Sequence, residues 1–210
     1  MSNMYLSKLF NVVLMTISKY RIDESHGIIH AMNVLHNCDH LIDCVLKTQP
    51  EIEKHRKIIY SAAILHDMCD KKYMDEDEGF QEIKSYVYDS ISNDELTVME
   101  NIVTTMSYSK VKKNGFPDLG LYQTAYHVVR EGDLLAAYDF DRCMIYHMSQ
   151  NSADVQGAFQ NAHDLFQTRI FKHQEDGLLL FPYSNEQHTI LSGQAHTRIQ
   201  HWRKMLSYKL

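Results

Sequence analysis

The residues with the clearest chemical potential are a histidine and an aspartate that stand side by side. The pair His66-Asp67 ends a mostly apolar stretch, residues 58–65. An imidazole and a carboxylate are costly to bury unless something pairs with both, and a divalent cation does so well. The alternative is a helix end at which both side chains form hydrogen bonds to the backbone. The pair alone does not distinguish a metal site from such a helix end, so other residues are needed.

A second set of candidate residues lies earlier, where residues 25–47 contain two stripes at spacings of three and four. The apolar stripe predicts a core-facing helix surface and consists of Ile28, Ala31, Leu35, Cys38, Ile42 and Val45. The other stripe is polar but uncharged and consists of His26, His30, Asn33, Asn37 and His40. Imidazoles and amides, where Lys and Glu are usual, indicate a cleft that binds a ligand or metal. A hydrogen-bonded polar seam between helices is the alternative.

Helices have to position these residues, because the chain has only 8 Gly and 3 Pro and few segments that alternate with period two. The predicted fold class is all-α, as one domain over residues 1–210, with residues 1–20 as an N-terminal helix and roughly 150–210 as C-terminal helices packed on the core. The predicted helices are roughly 4–20, 25–47 with Ser25 as N-cap, Pro50 to about His66, 80–91, 94–107 after Ser92, 122–148 with Gly132 as a possible break, 154–171 and 184–206. An acidic segment, 70–79, interrupts the pattern, and 109–119 with Lys110, Lys112 and Lys113 is predicted as a loop.

Composition narrows the possible partners and the compartment. The formal net charge of −6 argues against a nucleic acid polymer as partner and favours a small molecule. The four cysteines have no C-x-x-C spacing, which indicates reduced, buried thiols. The apolar stretch Leu6–Ile17 is broken by polar residues, with no cleavage site after it. We therefore expect a cytoplasmic protein that does not bind membranes.

The order His30, His66-Asp67, Asp133 resembles the HD-domain superfamily of metal-dependent phosphohydrolases. Residues 25–34 are similar to the first-ligand helix of that family, H-x-x-x-H-x-x-R-V, with His30 at the ligand position. Residues 65–73 are similar to the L-H-D-x-x-D-x-K-[FY] segment of small stand-alone HD hydrolases. Some of those proteins are nucleoside triphosphate pyrophosphohydrolases.

Two later segments extend this resemblance to roughly residues 20–205. Residues 106–110 are similar to the I-S-[FY]-x-K segment of the same subgroup, and residues 131–137 to its D-A-D-x-L-x-A helix. Departures are Asn33 in place of a frequent Arg, Gly27 after the first His, and Leu134 where Arg is common. The last departure keeps Asp139 and Asp141 as alternatives to Asp133 for the fourth ligand.

The resemblance implies a multi-helix HD-domain bundle with one divalent ion, Mn²⁺, Mg²⁺, Fe²⁺ or Zn²⁺, at a site of two imidazoles and two carboxylates. The implied metal ligands are His30, His66, Asp67 and Asp133. Di-iron relatives place two further histidines before the last aspartate, and here that interval contains only His127, which favours a mononuclear site.

Other residues of the same motifs have predicted roles in catalysis and substrate binding. Asp70 follows His66 by one turn and is the candidate general base, and Lys72 is the candidate catalytic cation. The candidate substrate-binding residues are His26, Lys71 and Lys110. The alternative to a catalytic role for Asp70 is a carboxylate at a helix end in solvent. The alternative for the lysines is a solvated position on the surface.

The predicted function is a metal-dependent phosphohydrolase that acts on a small phosphorylated molecule, with a nucleotide as the first candidate, as a pyrophosphohydrolase or nucleotidase. One alternative is a catalytically silent HD module that senses nucleotides. Another is a helical domain in which the metal acts only as a structural staple. The oligomeric state stays open, a homodimer included.

Overall fold

The computed structural model describes residues 3–150, 152 and 154–208, and over these residues it contains α-helices and 3₁₀ helices but no strand. The prediction of an all-α fold is therefore confirmed. The α-helices are α1 (Asn3–Tyr20), α2 (Ile28–Val45), α3 (Arg56–Leu65), α4 (Glu76–Val87), α5 (Asn93–Thr105), α6 (Tyr108–Asn114), α7 (Gln123–Ala136), α8 (Phe140–Gln150), α9 (Val155–Thr168) and α10 (Pro182–Ser207). The 3₁₀ helices are Glu24–His26, Pro50–His55, Gly120–Tyr122 and Ile170–Lys172.

Contacts along the chain divide it into two compact units. The first unit comprises Met1–Ile22 and His26–Asp133, and the second comprises Asp23–Ser25 and Leu134–Leu210. Every residue predicted to bind metal or substrate, or to act in catalysis, belongs to the first unit. The assignment of residues 1–210 to a single domain stays a prediction.

Helix α3 is the most deeply buried element of the first unit. Its residues Ile59, Ala62, Ala63, Ile64 and Leu65 are all 0% exposed, and α1, α2 and α5 pack around it. A helix that is apolar on all sides belongs inside the protein, with neighbours on every face. The burial of α3 therefore fixes the position of the two residues that follow it, the histidine–aspartate pair.

Helix α2 begins later than the sequence predicts. The N-cap is Gly27 rather than Ser25, which lies in the 3₁₀ helix Glu24–His26. The backbone N–H of Ser25 donates to Asp23 Oδ1 at 2.9 Å. This local bond gives the backbone an alternative to the helical pattern, as Asp side chains often do. The stretch from Pro50 likewise opens as a 3₁₀ helix, and the α-helix starts only at Arg56.

The acidic segment, residues 70–79, separates two helices as predicted, but it also contains the start of α4. Asp75 is the N-cap of α4, and its carboxylate accepts the N–H groups of Asp77 at 3.1 Å and Glu78 at 3.0 Å. Carboxylates are favourable in the first turn because they face the positive end of the helix dipole. The predicted start of α5 is confirmed, because Ser92 forms a capping box with Glu95.

The predicted loop at 109–119 is wrong in its first half. Residues 108–114 form α6, so Lys110, Lys112 and Lys113 lie on a helix, which ends at Gly115 with φ of 75°. A positive φ after the last helical residue is a common helix stop that glycine adopts easily. The predicted break at Gly132 is also wrong, because this residue lies inside α7.

The second unit has its own apolar core, built by α8, α9, α10 and the segments between them. Its buried residues are Tyr138, Phe140, Met144, Phe159, Ala162, Phe166, Ile170, Ala195 and Ile199. Among the described residues, no helix combines the length and apolar character that a membrane crossing requires.

Candidate metal centre

Three separate segments bring four ligand-type side chains together. His30 lies on α2, His66 and Asp67 follow α3 directly, and Asp133 lies on α7. The Nε2 atoms of His30 and His66 are 3.2 Å apart. Asp67 Oδ2 lies 3.3 Å from His30 Nε2 and 3.2 Å from His66 Nε2. Asp133 Oδ1 lies 3.3 Å and 3.7 Å from the same two nitrogens.

Three of the four side chains are largely removed from water, to a degree that charged groups rarely tolerate alone, and that of Asp133 is 25% exposed. The side chains of His30 and His66 are 2% and 6% exposed, and that of Asp67 is 14% exposed. Two of the buried polar atoms, Asp67 Oδ2 and His30 Nδ1, have no hydrogen-bond partner. Since an unpaired buried carboxylate oxygen is costly, a divalent cation among these ligand atoms fits the arrangement. Two imidazoles with two carboxylates suit Mn²⁺, Fe²⁺, Zn²⁺ or Mg²⁺.

The pKa shifts in the cluster also fit a cation bound among the four side chains. Burial disfavours the protonated imidazole of His66, but the charges of Asp67 and Asp133 outweigh it and raise the pKa of His66 to about 9. Burial favours the neutral acid of Asp67, yet His66 and His26 hold its pKa well below the ordinary value. Burial and then the hydrogen bond from His30 act on Asp133, whose pKa is also strongly lowered. The site therefore stabilises a positive charge between two carboxylates.

The orientation of His66 leaves its inner nitrogen available for a ligand. His66 Nδ1 lies 2.9 Å from the carbonyl oxygen of Ala63, one turn earlier. A proton on Nδ1 donates to this carbonyl, so the lone pair of Nε2 faces the cluster. Metal-binding histidines commonly use such a backbone bond to fix the tautomer and the ring plane.

A close helix contact brings Asp133 to the other three ligands. Asn37 Nδ2 on α2 donates to the carbonyl oxygen of Gly132 on α7 at 3.0 Å. A β-carbon at position 132 would lie 2.5 Å from Cys38 Sγ and 3.3 Å from the carbonyl oxygen of Val34. The absence of a side chain at Gly132 thus lets α7 approach α2 closely enough for the next residue to reach His30. The sequence marked Gly132 only as a helix break, so this role was missed.

The predicted catalytic residues Asp70 and Lys72 adjoin the four-ligand cluster. His26, Asp67 and Asp70 form a second group whose ligand atoms lie within 4.8 Å of one another. The backbone N–H of Lys72 donates to Asp70 Oδ1 at 2.9 Å, and Lys72 Nζ lies 3.4 Å from Asp70 Oδ2. Lys72 Nζ also lies 3.2 Å from His26 Nε2. Tyr73, which sequence reasoning did not place in the site, contacts His26 Nδ1 through its hydroxyl at 3.0 Å.

The two other lysines predicted to bind substrate differ in their surroundings. Lys110 donates to Glu76 Oε1 at 2.6 Å, in a partly buried ion pair between α6 and α4. Burial and then the charges of Glu76 and Asp67 raise the pKa of Cys69 to about 12, while Lys110 opposes that effect. Lys110 therefore acts electrostatically on the same turn as the metal ligands. Lys71 is exposed.

The structure assigns other contacts to the two alternative fourth ligands. Asp141 accepts hydrogen bonds from Arg198 Nε at 2.9 Å and Trp202 Nε1 at 2.7 Å. Asp139 Oδ1 accepts the backbone N–H of Arg142 at 3.0 Å. Among the three candidate aspartates, only Asp133 is brought to His30 and His66.

The polar stripe of α2 lines the site over part of its length. The stripe residues His26 and His30 belong to the two ligand groups, and Asn37 contacts α7. Asn33 and His40 are exposed instead. The positions of His26 and His30 fit the interpretation as a polar cleft, whereas the contact of Asn37 with α7 fits the alternative, a hydrogen-bonded seam between helices.

No protein-family model and no curated protein matches the chain. The chain is similar in structure to a Lactobacillus plantarum protein whose crystal structure was solved as a Northeast Structural Genomics target. The TM-score is 0.70 with 98% of each chain covered, and the sequences are 16% identical. At this level of identity the similarity shows a shared fold and nothing about activity.

Proposed function

We propose that the protein is a metal-dependent phosphohydrolase of the HD type that acts on a small phosphorylated molecule, with a nucleotide as the first candidate. One observation carries the proposal: four ligand atoms from His30, His66, Asp67 and Asp133 converge beside Asp70 and Lys72. These are the residues at which the sequence resembles the HD superfamily.

The four converging side chains would hold one divalent ion. Such an ion supplies electrophilic activation of a phosphoryl oxygen and of water. Asp70 is the group of this chain that would accept the proton of the attacking water. Its carboxylate is held for this role by the backbone N–H of Lys72, at 2.9 Å, and it lies next to Asp67.

Lys72 and His26, which lie around Asp70, would orient the phosphate. Lys72 Nζ and the imidazole of His26 lie 3.2 Å apart and would donate to phosphate oxygens as charge develops there. Lys71 and Lys110 are further candidates for the distal phosphates. Because the chain has a net charge of −6, this local positive charge favours a small anion over a polymer.

The test is a hydrolysis assay on protein that has been stripped with a chelator and supplied with Mn²⁺. The panel contains nucleoside mono-, di- and triphosphates and cyclic nucleotides, and both phosphate and pyrophosphate are measured. We expect release from at least one class that requires Mn²⁺ and disappears in Asp67→Ala. Asp70→Asn should lose about 10²- to 10⁴-fold in kcat with its metal content unchanged. Lys204→Ala, at an exposed position of α10, is the control with wild-type activity.

The same panel separates hydrolysis from nucleotide sensing. A nucleotide that raises the melting temperature and is never consumed would contradict the hydrolase proposal and support a sensing module. The absence of both product and stabilisation throughout the panel, in protein that contains metal, would leave only the structural-staple alternative.

A further inference from the structure

Asp67 lies between two adjoining groups of ligand-type atoms: it is a member of one and contacts two histidines of the other. The first contains His30, His66 and Asp133, and Asp67 Oδ2 lies 3.3 Å and 3.2 Å from the Nε2 atoms of its two histidines. The second contains His26, Asp67 and Asp70, with ligand atoms within 4.8 Å of one another. A carboxylate shared between two such groups is the arrangement that bridges two metal ions in dinuclear hydrolytic sites. The geometry therefore offers places for two cations, although the sequence favours one ion.

A side chain of the protein already lies at the second group. Lys72 Nζ is 3.2 Å from His26 Nε2 and 3.4 Å from Asp70 Oδ2, which are two of its three members. The backbone fixes this placement, because the N–H of Lys72 donates to Asp70 Oδ1 at 2.9 Å. Tyr73, the next residue, contacts the other ring nitrogen of His26, Nδ1, through its hydroxyl at 3.0 Å. A positive charge thus stands among the donors of the second group.

The charges of the site are balanced by one divalent ion together with this ammonium. The carboxylates of Asp67, Asp70 and Asp133 carry three negative charges, and a divalent ion in the first group leaves one of them uncompensated. The ammonium of Lys72 supplies the missing charge. A second divalent ion beside the ammonium would meet a like charge at close range in a partly desolvated site, which is unfavourable.

We propose that the Lys72 ammonium occupies the position of a second divalent ion. The intact protein then binds one ion, and removing the ammonium opens the His26–Asp67–Asp70 group to another ion that Asp67 bridges to the first. The inference rests on the metal centre of the proposed function. It assigns Lys72 as the residue that sets the number of metal ions.

The test measures bound Mn²⁺ per chain, with Mn²⁺ alone as the probe, by equilibrium dialysis and elemental analysis. We expect one equivalent for the wild type and two for Lys72→Met, which keeps most of the length of the side chain and loses its charge. Electron paramagnetic resonance should show an exchange-coupled manganese pair in Lys72→Met and none in the wild type. Adding Asp70→Asn to that variant should return the count to one.

Two matched variants isolate the effect of charge at this position. Lys72→Arg keeps the positive charge and should bind one ion, and Lys71→Met removes the neighbouring exposed lysine and should also bind one. The Lys72 side chain is 45% exposed, so its replacement should leave the fold intact, which circular dichroism checks. Lys72→Gln provides a second uncharged variant with the same expected count of two.

Each outcome decides a different point. One ion in both Lys72→Met and Lys72→Gln, or two ions in the wild type, would overturn this inference and leave the metal centre in place. No bound ion in the wild type would overturn the metal centre itself, and with it the proposed function.

Discussion

At the scale of single residues, the environment of Asp67 Oδ2 is the strongest argument for a metal ion at the candidate centre. This atom lies within 3.3 Å of the Nε2 atoms of His30 and His66 yet has no hydrogen-bond partner. Hydrogen bonds to water would satisfy it at the surface, but the side chain is only 14% exposed. A cation among the four ligand atoms would compensate that loss, so each ligand should be needed for metal binding.

The first prediction concerns Asp133 and uses stability as the readout. Mn²⁺ at 100-fold its dissociation constant should stabilise the wild type by about 2.7 kcal/mol, because it binds only the folded state. Asp133→Ala should abolish this stabilisation, since the variant lacks the carboxylate that lies 3.3 Å from His30 Nε2. Denaturant unfolding with Mn²⁺ and with chelator measures the difference. Asp139→Ala is the control, and an Asp133→Ala variant that kept the full Mn²⁺ effect would show that the ligand set is wrong.

The second prediction concerns Gly132 and tests the approach of α7 to α2. Gly132→Ala would place a β-carbon 2.5 Å from Cys38 Sγ. We expect a loss of about 1–3 kcal/mol in the free energy of unfolding, as is usual for overpacking, and weaker Mn²⁺ binding because Asp133 moves with α7. Denaturant unfolding and Mn²⁺ titration measure the two effects.

Two variants show whether the close contact is the cause. Cys38→Ala in the Gly132→Ala background removes the clashing sulfur and should restore part of the Mn²⁺ affinity. Gly193→Ala on α10 has nothing within 4 Å of its added carbon and should be neutral or stabilising by up to about 1 kcal/mol. An unchanged Mn²⁺ affinity in Gly132→Ala would contradict the positioning role of this glycine.

At the scale of elements, the sequence predicts a helix well where local signals are strong. It predicts a helix poorly where a short segment is rich in charged residues. Ser92 with Glu95 predicts the start of α5, because a capping box is a local signal. The lysines of α6 suggested a loop, although Val111 is buried and anchors this short helix. A helix of seven residues is stabilised mainly by tertiary contacts, which the local sequence does not contain.

The candidate site could be predicted residue by residue but not in its geometry. The motif positions of His30, His66 and Asp133 come from the order of residues, and the structure brings all three together. The contact of Asn37 with Gly132 depends on how closely two helices pack, which periodicity does not report. The contact of Tyr73 with His26 depends likewise on the path of the turn after α3.

The third prediction concerns α7 and the pH dependence of stability. Burial, and then the charge of Arg130, lowers the pKa of His127 from 6.5 to about 4. The ring nitrogens of His127 lie 3.0 Å from Gln123 Nε2 and 3.3 Å from Arg130 Nη2, and these donor groups also disfavour a further ring proton. Below pH 6.5 the unfolded chain takes up a proton that the folded chain accepts only near pH 4. The free energy of unfolding should therefore fall as the pH falls through this window.

The variant His127→Gln removes this contribution. A fully buried histidine with such a shift would account for about 3 kcal/mol between the two pH values, and since solvent reaches part of His127 we expect about half of that. Urea unfolding at pH 7 and pH 4 should show a smaller pH effect in His127→Gln than in the wild type. His201→Gln, at an exposed position of α10, is the control. Equal pH effects in wild type and His127→Gln would refute the assignment.

At the scale of the whole molecule, the second unit, Asp23–Ser25 and Leu134–Leu210, contributes none of the proposed metal ligands. All four proposed metal ligands lie in the unit formed by Met1–Ile22 and His26–Asp133. The second unit carries an aromatic core of its own, in which the Phe140 ring packs edge-on against Phe159 and Phe166. A loss of packing in that core should therefore reduce stability without altering the metal ligands themselves.

The fourth prediction compares the truncation of one fully buried core residue in each of the two units. Phe166→Ala, at a residue 0% exposed in the second unit, should lower the free energy of unfolding by about 3–5 kcal/mol. Its Mn²⁺ affinity, measured well below the melting temperature, should stay within twofold of the wild type. Ile59→Ala, equally buried in α3, should cost about 2–5 kcal/mol and also weaken Mn²⁺ binding, because α3 positions His66 and Asp67. If Phe166→Ala weakened Mn²⁺ binding as much as Ile59→Ala, the centre would depend on the second core, and the ligand geometry could not be attributed to the first unit alone.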